Sequence, residues 1–178
     1  MKTSVIITAY GAPQILKRVL TGYLHQNLQP DEIIIAEDAE GLTLKEIVPA
    51  KYKRNQKFVH VTQPDSGYRR SLILNKAIAV SEGDYLILSD SDCIPHKNFV
   101  KDHASFAEPN HYLLGARSYV KEEIVDSFEP TFFSRLSHTL KGNLYPKKVA
   151  FRIPFVNWDS NTSPLGANMS FWKKISSR

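Results

Sequence analysis

Cysteine is nearly missing: Cys93 stands alone in 178 residues, so no intrachain disulfide can form. That usage fits a reducing compartment and sets the expectation of a cytoplasmic protein. Zinc-type ligand spacing and Cys-x-x-Cys pairs are absent as well. No apolar run approaches the length of about 18 residues that a transmembrane helix needs. The N-terminus, Met1-Lys2-Thr3, leads straight into a short apolar run without the long apolar region and small-residue cleavage site of a secretory leader. Glycine is sparse where a phosphate loop would need it: Tyr10-Gly11-Ala12-Pro13, after the first apolar run, holds one. Acidic residues are missing from Pro130 to Trp158, while Arg135, Lys141, Lys147, Lys148 and Arg152 all fall there.

What is present describes an ordinary globular chain, 42% hydrophobic and 23% charged, with a formal net charge of +5. The length suits one domain. The positive balance admits nucleic acid, an anionic membrane or a phosphorylated substrate as partner and does not choose among them.

The pattern alternates strands and helices. Ser4–Ala9 reads as a buried strand, and Ile15, Leu16, Val19, Leu20, Tyr23 and Leu24 recur at helical spacing after Pro13. Ile33–Ala36 reads as a second strand closing on Glu37-Asp38, followed by a helical stretch from Leu42 to Val48. Phe58–Val61 is a third strand, Arg69–Val80 a helix with Leu72, Ile73, Ala77 and Val80 inward, and Tyr85–Leu88 a fourth strand. A helix is expected over His96–Phe106, a strand over Tyr112–Val120 and a helix within Phe128–Leu140. Lys147–Pro164 reads as a long loop, and Gly166–Trp172 as a last strand entering a helix. No repeat or composition shift marks a second domain. These periods predict an α/β fold, a mostly parallel sheet with helices on both faces.

In such sheets ligands sit beyond the carboxyl ends of the strands. Three of the first four strands end there in Thr8, Glu37-Asp38 and Asp90-Ser91-Asp92. Two carboxylates one residue apart at a strand end point to one side and suit a hard divalent cation, Mg²⁺ or Mn²⁺, bridging to phosphate oxygens. Cys93 beside them reads as a small buried hydrophobe. Arg69 and Arg70 open a helix, where the macrodipole disfavours cations unless an anion lies near.

The ordered set of stretches resembles the family-2 glycosyltransferases of GT-A fold. It comprises Val5-Ile6-Ile7-Thr8-Ala9-Tyr10, Glu32 to Asp38, Gly67-Tyr68-Arg69-Arg70 with Asn75-Lys76-Ala77-Ile78, Gly83 to Asp92, and Gly166-Ala167-Asn168-Met169-Ser170-Phe171. The resemblance implies a Rossmann-like sheet in a single domain over residues 1–178, with residues 1–120 binding the donor and 121–178 forming a partial acceptor half. It implies transfer of a sugar from a nucleoside diphosphate, UDP-linked, with inversion, in surface polysaccharide biosynthesis. Thr8, Ala9 and Tyr10 would hold the base, Asp38 would accept its N3–H, and Asp65 would line the nucleotide pocket. Arg69 or Arg70 would meet the diphosphate. Asp90, with Ser91, would reach the ribose or a metal-bound water, Asp92 would ligate Mn²⁺ or Mg²⁺, and His96 is a further candidate ligand.

The resemblance also places the catalytic base in an acidic pair beyond Gly166–Phe171, hence beyond Arg178. The chain is therefore expected to be a fragment or an incomplete catalyst, with Asp159 the one substitute base before its end. The acceptor would be a saccharide or a lipid-linked sugar. The basic stretch 135–152 would meet a lipid diphosphate or the anionic inner membrane face. A metal-dependent nucleotidyltransferase and a non-enzymatic nucleic-acid binder are the alternatives. The missing glycine loop counts against the first, and the acidic strand ends, which repel phosphate, count against the second.

Overall fold

The computed structural model describes residues 1–48, 57–125, 127–129, 131–146 and 167–174. The chain divides into two units, residues 1–114 with 164–178, and residues 115–163.

The first unit is built on a six-stranded sheet. Its strands are β1 (Thr3–Ala9), β2 (Glu32–Glu37), β3 (Lys57–Thr62), β4 (Tyr85–Asp90), β5 (Tyr112–Leu114) and β8 (Asn168–Trp172), in the order β3-β2-β1-β4-β8-β5. β1 to β4 are mutually parallel, and β8 runs antiparallel to both β4 and β5. The short β-branched runs that read as buried strands are buried along their whole length in β1 and β2, as a sheet covered on both faces requires.

Alternation along the strands sorts the core into two layers. Val5, Ile7, Ile33, Ile35, Tyr85 and Ile87 face helix α1 (Pro13–Leu24), the short helix α2 (Leu44–Ile47) and helix α4 (Phe99–Ser105). Ile6, Ile34, Ala36, Leu86 and Leu88 face helix α3 (Arg70–Val80). The expected α/β architecture with helices on both faces is what folds. Gly83 feeds β4 against β1 at the far edge, donating its N–H to Ser4 Oγ at 2.9 Å. A Cβ there would lie 2.2 Å from that oxygen and 2.7 Å from the Ser4 nitrogen, so only glycine permits the approach.

Several expectations are corrected in detail. In α3 the buried pair is Ile73 and Ala77, with Leu74 and Ile78 packed beside them, whereas Leu72 and Val80 are exposed. Apolar residues lie all around this helix, so the pattern could not fix its rotation. The expected strand Tyr112–Val120 is two strands: β5 pairs with β8, and β6 (Tyr119–Val120) pairs with β7 (Leu144–Tyr145) in a separate two-stranded sheet. The helix expected from His96 starts at Phe99. The reading of Lys147–Pro164 as a loop lies outside the described residues.

The second unit carries β6, a 3-10 turn at Glu122–Ile124, helix α5 (Phe132–Leu140) and β7. Among its described residues Phe128 and Leu144 are buried together, with Val120 and Ile124 packed against them. Thr131 caps α5 by accepting from the Ser134 N–H at 3.3 Å.

Candidate functional site

The parallel register places Thr8 beside Asp90, one step after Ile6 and Leu88 on the same α3-facing side of the sheet. Thr8 Oγ1 donates to Asp90 Oδ1 at 2.7 Å. The first turn of α3 lies over this pair and supplies Arg70. Its Nη2 donates to Asp90 Oδ1 at 2.5 Å, and its Nε donates to Thr8 Oγ1 at 3.2 Å. Both charged side chains are about one-quarter exposed, so the pair is only partly screened.

The chain then turns sharply. Ser91 N–H donates to the Thr8 carbonyl at 2.9 Å, and Cys93 N–H donates to the Asp90 carbonyl at 3.1 Å. This turn, rather than strand alternation, brings the exposed Asp92 alongside Asp90. Single ligand atoms of Asp90, Asp92 and Cys93 lie within 4.8 Å of one another. The Cys93 thiol donates to Asp92 Oδ1 at 3.3 Å. Two carboxylates and exposed space match the oxygen preference of Mg²⁺ or Mn²⁺, and a thiol does not. Asp90 Oδ1 is already engaged by Thr8 and Arg70, which leaves Asp92 the more accessible ligand. His96 is not in this convergent set; its Nδ1 accepts the Asn98 N–H at 3.2 Å.

Asp38 follows β2 and is 5% exposed, yet it borders the same space. Its Oδ1 accepts from Gln63 Nε2 at 2.5 Å and its Oδ2 from the Arg69 N–H at 2.7 Å. Both oxygens are therefore held by fixed donors, and the carboxylate is aimed rather than free to rotate. Glu37, the neighbouring acid, alternates to the other face. There it meets His60 Nε2 at 2.9 Å and the Leu42 N–H at 3.0 Å.

A cavity of about 410 Å³ opens over these groups, lined by Thr8, Ala9, Tyr10, Asp38, Gly67, Tyr68, Arg70, Ile73, Asp90, Ser91 and Asp92. Tyr10 is 64% exposed and Tyr68 89%, two aromatic rings held at the rim with little else to pack on. Tyr10 donates its hydroxyl to Asp65 Oδ2 at 3.0 Å, and this bond holds the phenol above its usual titration range. Asp65 thus stands behind Tyr10 rather than in the lining; its other oxygen accepts the Gly67 N–H at 3.3 Å. Gly67 has φ +83°, a conformation glycine adopts without strain.

Of the residues singled out in the sequence, Thr8, Ala9, Tyr10, Asp38, Asp90, Ser91 and Asp92 come together at one cavity. Asp65, Arg69 and His96 do not line it. The Arg69 guanidinium donates to the Pro64 carbonyl, with its Nε buried and unpartnered, so of the two arginines Arg70 faces the cavity. Asp159 lies outside the described residues. Tyr68 and Gln63 were missed as site residues. An aromatic next to a loop glycine was the available signal for Tyr68, whereas Gln63 gave none.

Comparison with known proteins adds the family. The model of the family described as Glycosyl transferase family 2 matches residues 4–158. Among solved structures, Staphylococcus aureus TarS 1-349 in complex with UDP-GlcNAc is 27% identical over 60% of this chain and 31% of its own, with a TM-score of 0.48. The mannosyltransferase PcManGT from Pyrobaculum calidifontis, in complex with GDP-Man and Mn²⁺, is 14% identical over 96% of this chain and 44% of its own, TM-score 0.59. A mycobacterial protein is 17% identical over 97% of this chain and 53% of its own, TM-score 0.54. The chain thus spans between about a third and a half of the length of these proteins. No curated protein matches it. The likeness to PcManGT carries the GT-A fold. With a family match over most of the chain and strand ends converging as that fold requires, the chain belongs to glycosyl transferase family 2.

Proposed function

We propose that the cavity binds a nucleoside diphosphate sugar, UDP-linked, and that the protein transfers the sugar with inversion to a saccharide or lipid-linked acceptor. The observation that carries this reading is the convergence of Asp38, Arg70, Asp90 and Asp92 on one cavity rimmed by Tyr10 and Tyr68. Each group then has a task suited to its chemistry. Tyr10 and Tyr68 offer faces on which a base stacks. Asp38, clamped by Gln63 and Arg69, presents acceptor lone pairs to an imide N–H. Arg70 directs guanidinium donors at a diphosphate, for which a planar fork is well shaped.

Asp92, with Asp90 beside it, would hold Mn²⁺ or Mg²⁺. When bound, the ion would act as a Lewis acid toward the charge on the departing nucleoside diphosphate. The Arg70–Asp90 bond makes a second contribution: it fixes Asp90 before any ligand arrives, so orientation is not bought at binding. A role in surface polysaccharide synthesis at the inner face of the membrane, within the cytoplasm, is the biological setting proposed with it.

Calorimetric titration with UDP tests the reading. UDP is expected to bind in the presence of Mn²⁺, to lose at least roughly tenfold in affinity when the metal is chelated, and to bind Asp92→Ala as it binds the metal-free protein. Equal affinity with and without metal, or an undisturbed Asp92→Ala, would contradict it.

A further inference from the structure

The loop from Cys93 to Asn98 joins the turn that carries Asp92 to α4, and it forms neither strand nor helix. The end of α1 grips it. Gln26, buried just past that helix, uses both ends of its side-chain amide. Its Nε2 donates to the His96 carbonyl at 2.8 Å and to the Gly22 carbonyl at 3.2 Å. Its Oε1 accepts the Val100 N–H at 3.1 Å. One side chain therefore ties the last turn of α1 to the loop and to the first turn of α4. Asn27 adds two bonds beside it: its N–H donates to the Lys97 carbonyl at 2.8 Å, and its Nδ2 to Asn98 Oδ1 at 2.5 Å.

Packing seats the same loop on the helix. Ile94 packs against the core layer that holds Leu16 and Tyr23. A Cβ at Gly22 would lie 2.8 Å from Pro95 Cδ and 3.2 Å from Ile94 Cγ2, so α1 approaches the loop this closely because position 22 has no side chain. On the other side of Asp92, the backbone is held where Ser91 N–H meets the Thr8 carbonyl. Asp92 itself is exposed, and the Cys93 thiol that donates to it is a weak donor. The place of its carboxylate thus depends on how firmly the backbone on both sides is held. A tie between α1 and α4 would account for the Val100 bond alone. The His96 bond, the Asn27 bonds and the Pro95 contact all fall on the loop between Asp92 and that helix.

We propose that Gln26 is a positioning residue for the metal. By holding the His96 carbonyl and the Val100 N–H, it keeps the loop seated on α1 and Asp92 alongside Asp90, where a divalent cation would join them. Groups that orient a ligand from behind set much of the affinity of the site they support. The inference rests on the nucleotide-sugar reading and concerns its metal side, since Gln26 lines no part of the cavity.

Calorimetry of UDP binding with Mn²⁺ and with the metal chelated separates the metal-linked part of the affinity from the rest. Gln26→Met, similar in length and without the amide, is expected to bind UDP as the wild type does when metal is absent. With UDP present it is expected to lose roughly tenfold in apparent Mn²⁺ affinity. Gly22→Ala is expected to weaken Mn²⁺ in the same way by pushing on Pro95, although alanine suits the helix better than glycine. It carries the test if Gln26→Met fails to fold. Gln29→Ala removes an amide that donates to the Leu24 and Gln26 carbonyls at the same helix end, and it is expected to leave Mn²⁺ affinity unchanged. Wild-type Mn²⁺ affinity in the folded Gln26 or Gly22 variant would overturn this inference alone. So would an equal loss of UDP affinity with and without metal, because Gln26 would then only support the fold. A wild-type chain that binds UDP without regard to metal would overturn the functional reading and this inference together.

Discussion

Arg69 and Arg70 are adjacent in sequence and do different work. Arg69 acts through its backbone, whose N–H holds Asp38 Oδ2 at 2.7 Å, while its side chain turns to the Pro64 carbonyl. Arg70 acts through its guanidinium, which reaches Thr8 and Asp90 at the cavity. Replacing each by alanine separates the roles, because alanine keeps the backbone donor. Arg70→Ala is expected to weaken UDP binding by about 1.5–3 kcal/mol, the worth of hydrogen bonds to a charged group. Arg69→Ala is expected to cost less than about 0.5 kcal/mol. Equal losses in a calorimetric comparison would contradict the assignment. From sequence the two could not be told apart, since successive residues at a helix start point about 100° apart and the pattern does not fix which of them turns toward the strand ends. Asp65 shows the same limit. Its turn position was legible, but its bond to Tyr10 depends on how the loop folds back over β1.

At the scale of elements, α4, β8 and β4 are tied by a buried chain of hydrogen bonds. Tyr85 hydroxyl and Ser170 Oγ are 2.7 Å apart, Ser170 Oγ and His103 Nδ1 2.6 Å, and His103 Nε2 and Asn168 Oδ1 2.8 Å. Asn168 Oδ1 only accepts, so Nε2 carries the proton and Nδ1 accepts from Ser170; a neutral imidazole satisfies every partner. Burial, chiefly, pushes the His103 pKa below its ordinary 6.5, against smaller upward contributions from Asn168 and Asp102. The unfolded chain therefore takes up this proton first as the pH falls. His103 contributes its full stability above about pH 6.5 and loses it as the pH drops through the lowered folded value. Urea unfolding at neutral and mildly acid pH is expected to show this loss in the wild type and a shallower one in His103→Gln. Identical pH dependence in the two would contradict it.

This network was not legible in the sequence. Asn168 and Ser170 are distant in sequence from His103, and nothing in the letters shows that β8 runs back antiparallel between β4 and β5. The strands themselves were legible, because β1, β2 and β4 are apolar runs too short for helices and bounded by turn residues. The rotation of α3 was not, with Leu72 and Val80 as apolar as Ile73 and Ala77. Nor was the break within Tyr112–Val120, where one apolar stretch serves two sheets.

At the scale of the molecule, β1, β2 and β4 deliver Thr8, Asp38 and Asp90 to one edge of the sheet, and the turn after β4 adds Asp92. That convergence was the part of the site the sequence announced, since buried parallel strands have no packing reason to end in acids. The aromatic rim and the guanidinium over Asp90 came from loops and a helix start, where long-range packing decides the outcome. The most direct measurement of this convergence is an anomalous difference map from crystals of the full chain grown with UDP and Mn²⁺. A manganese peak is expected against Asp92, with the diphosphate between it and Arg70 and the base at Tyr10 and Asp38. A manganese peak or a nucleotide anywhere else on the molecule would contradict it.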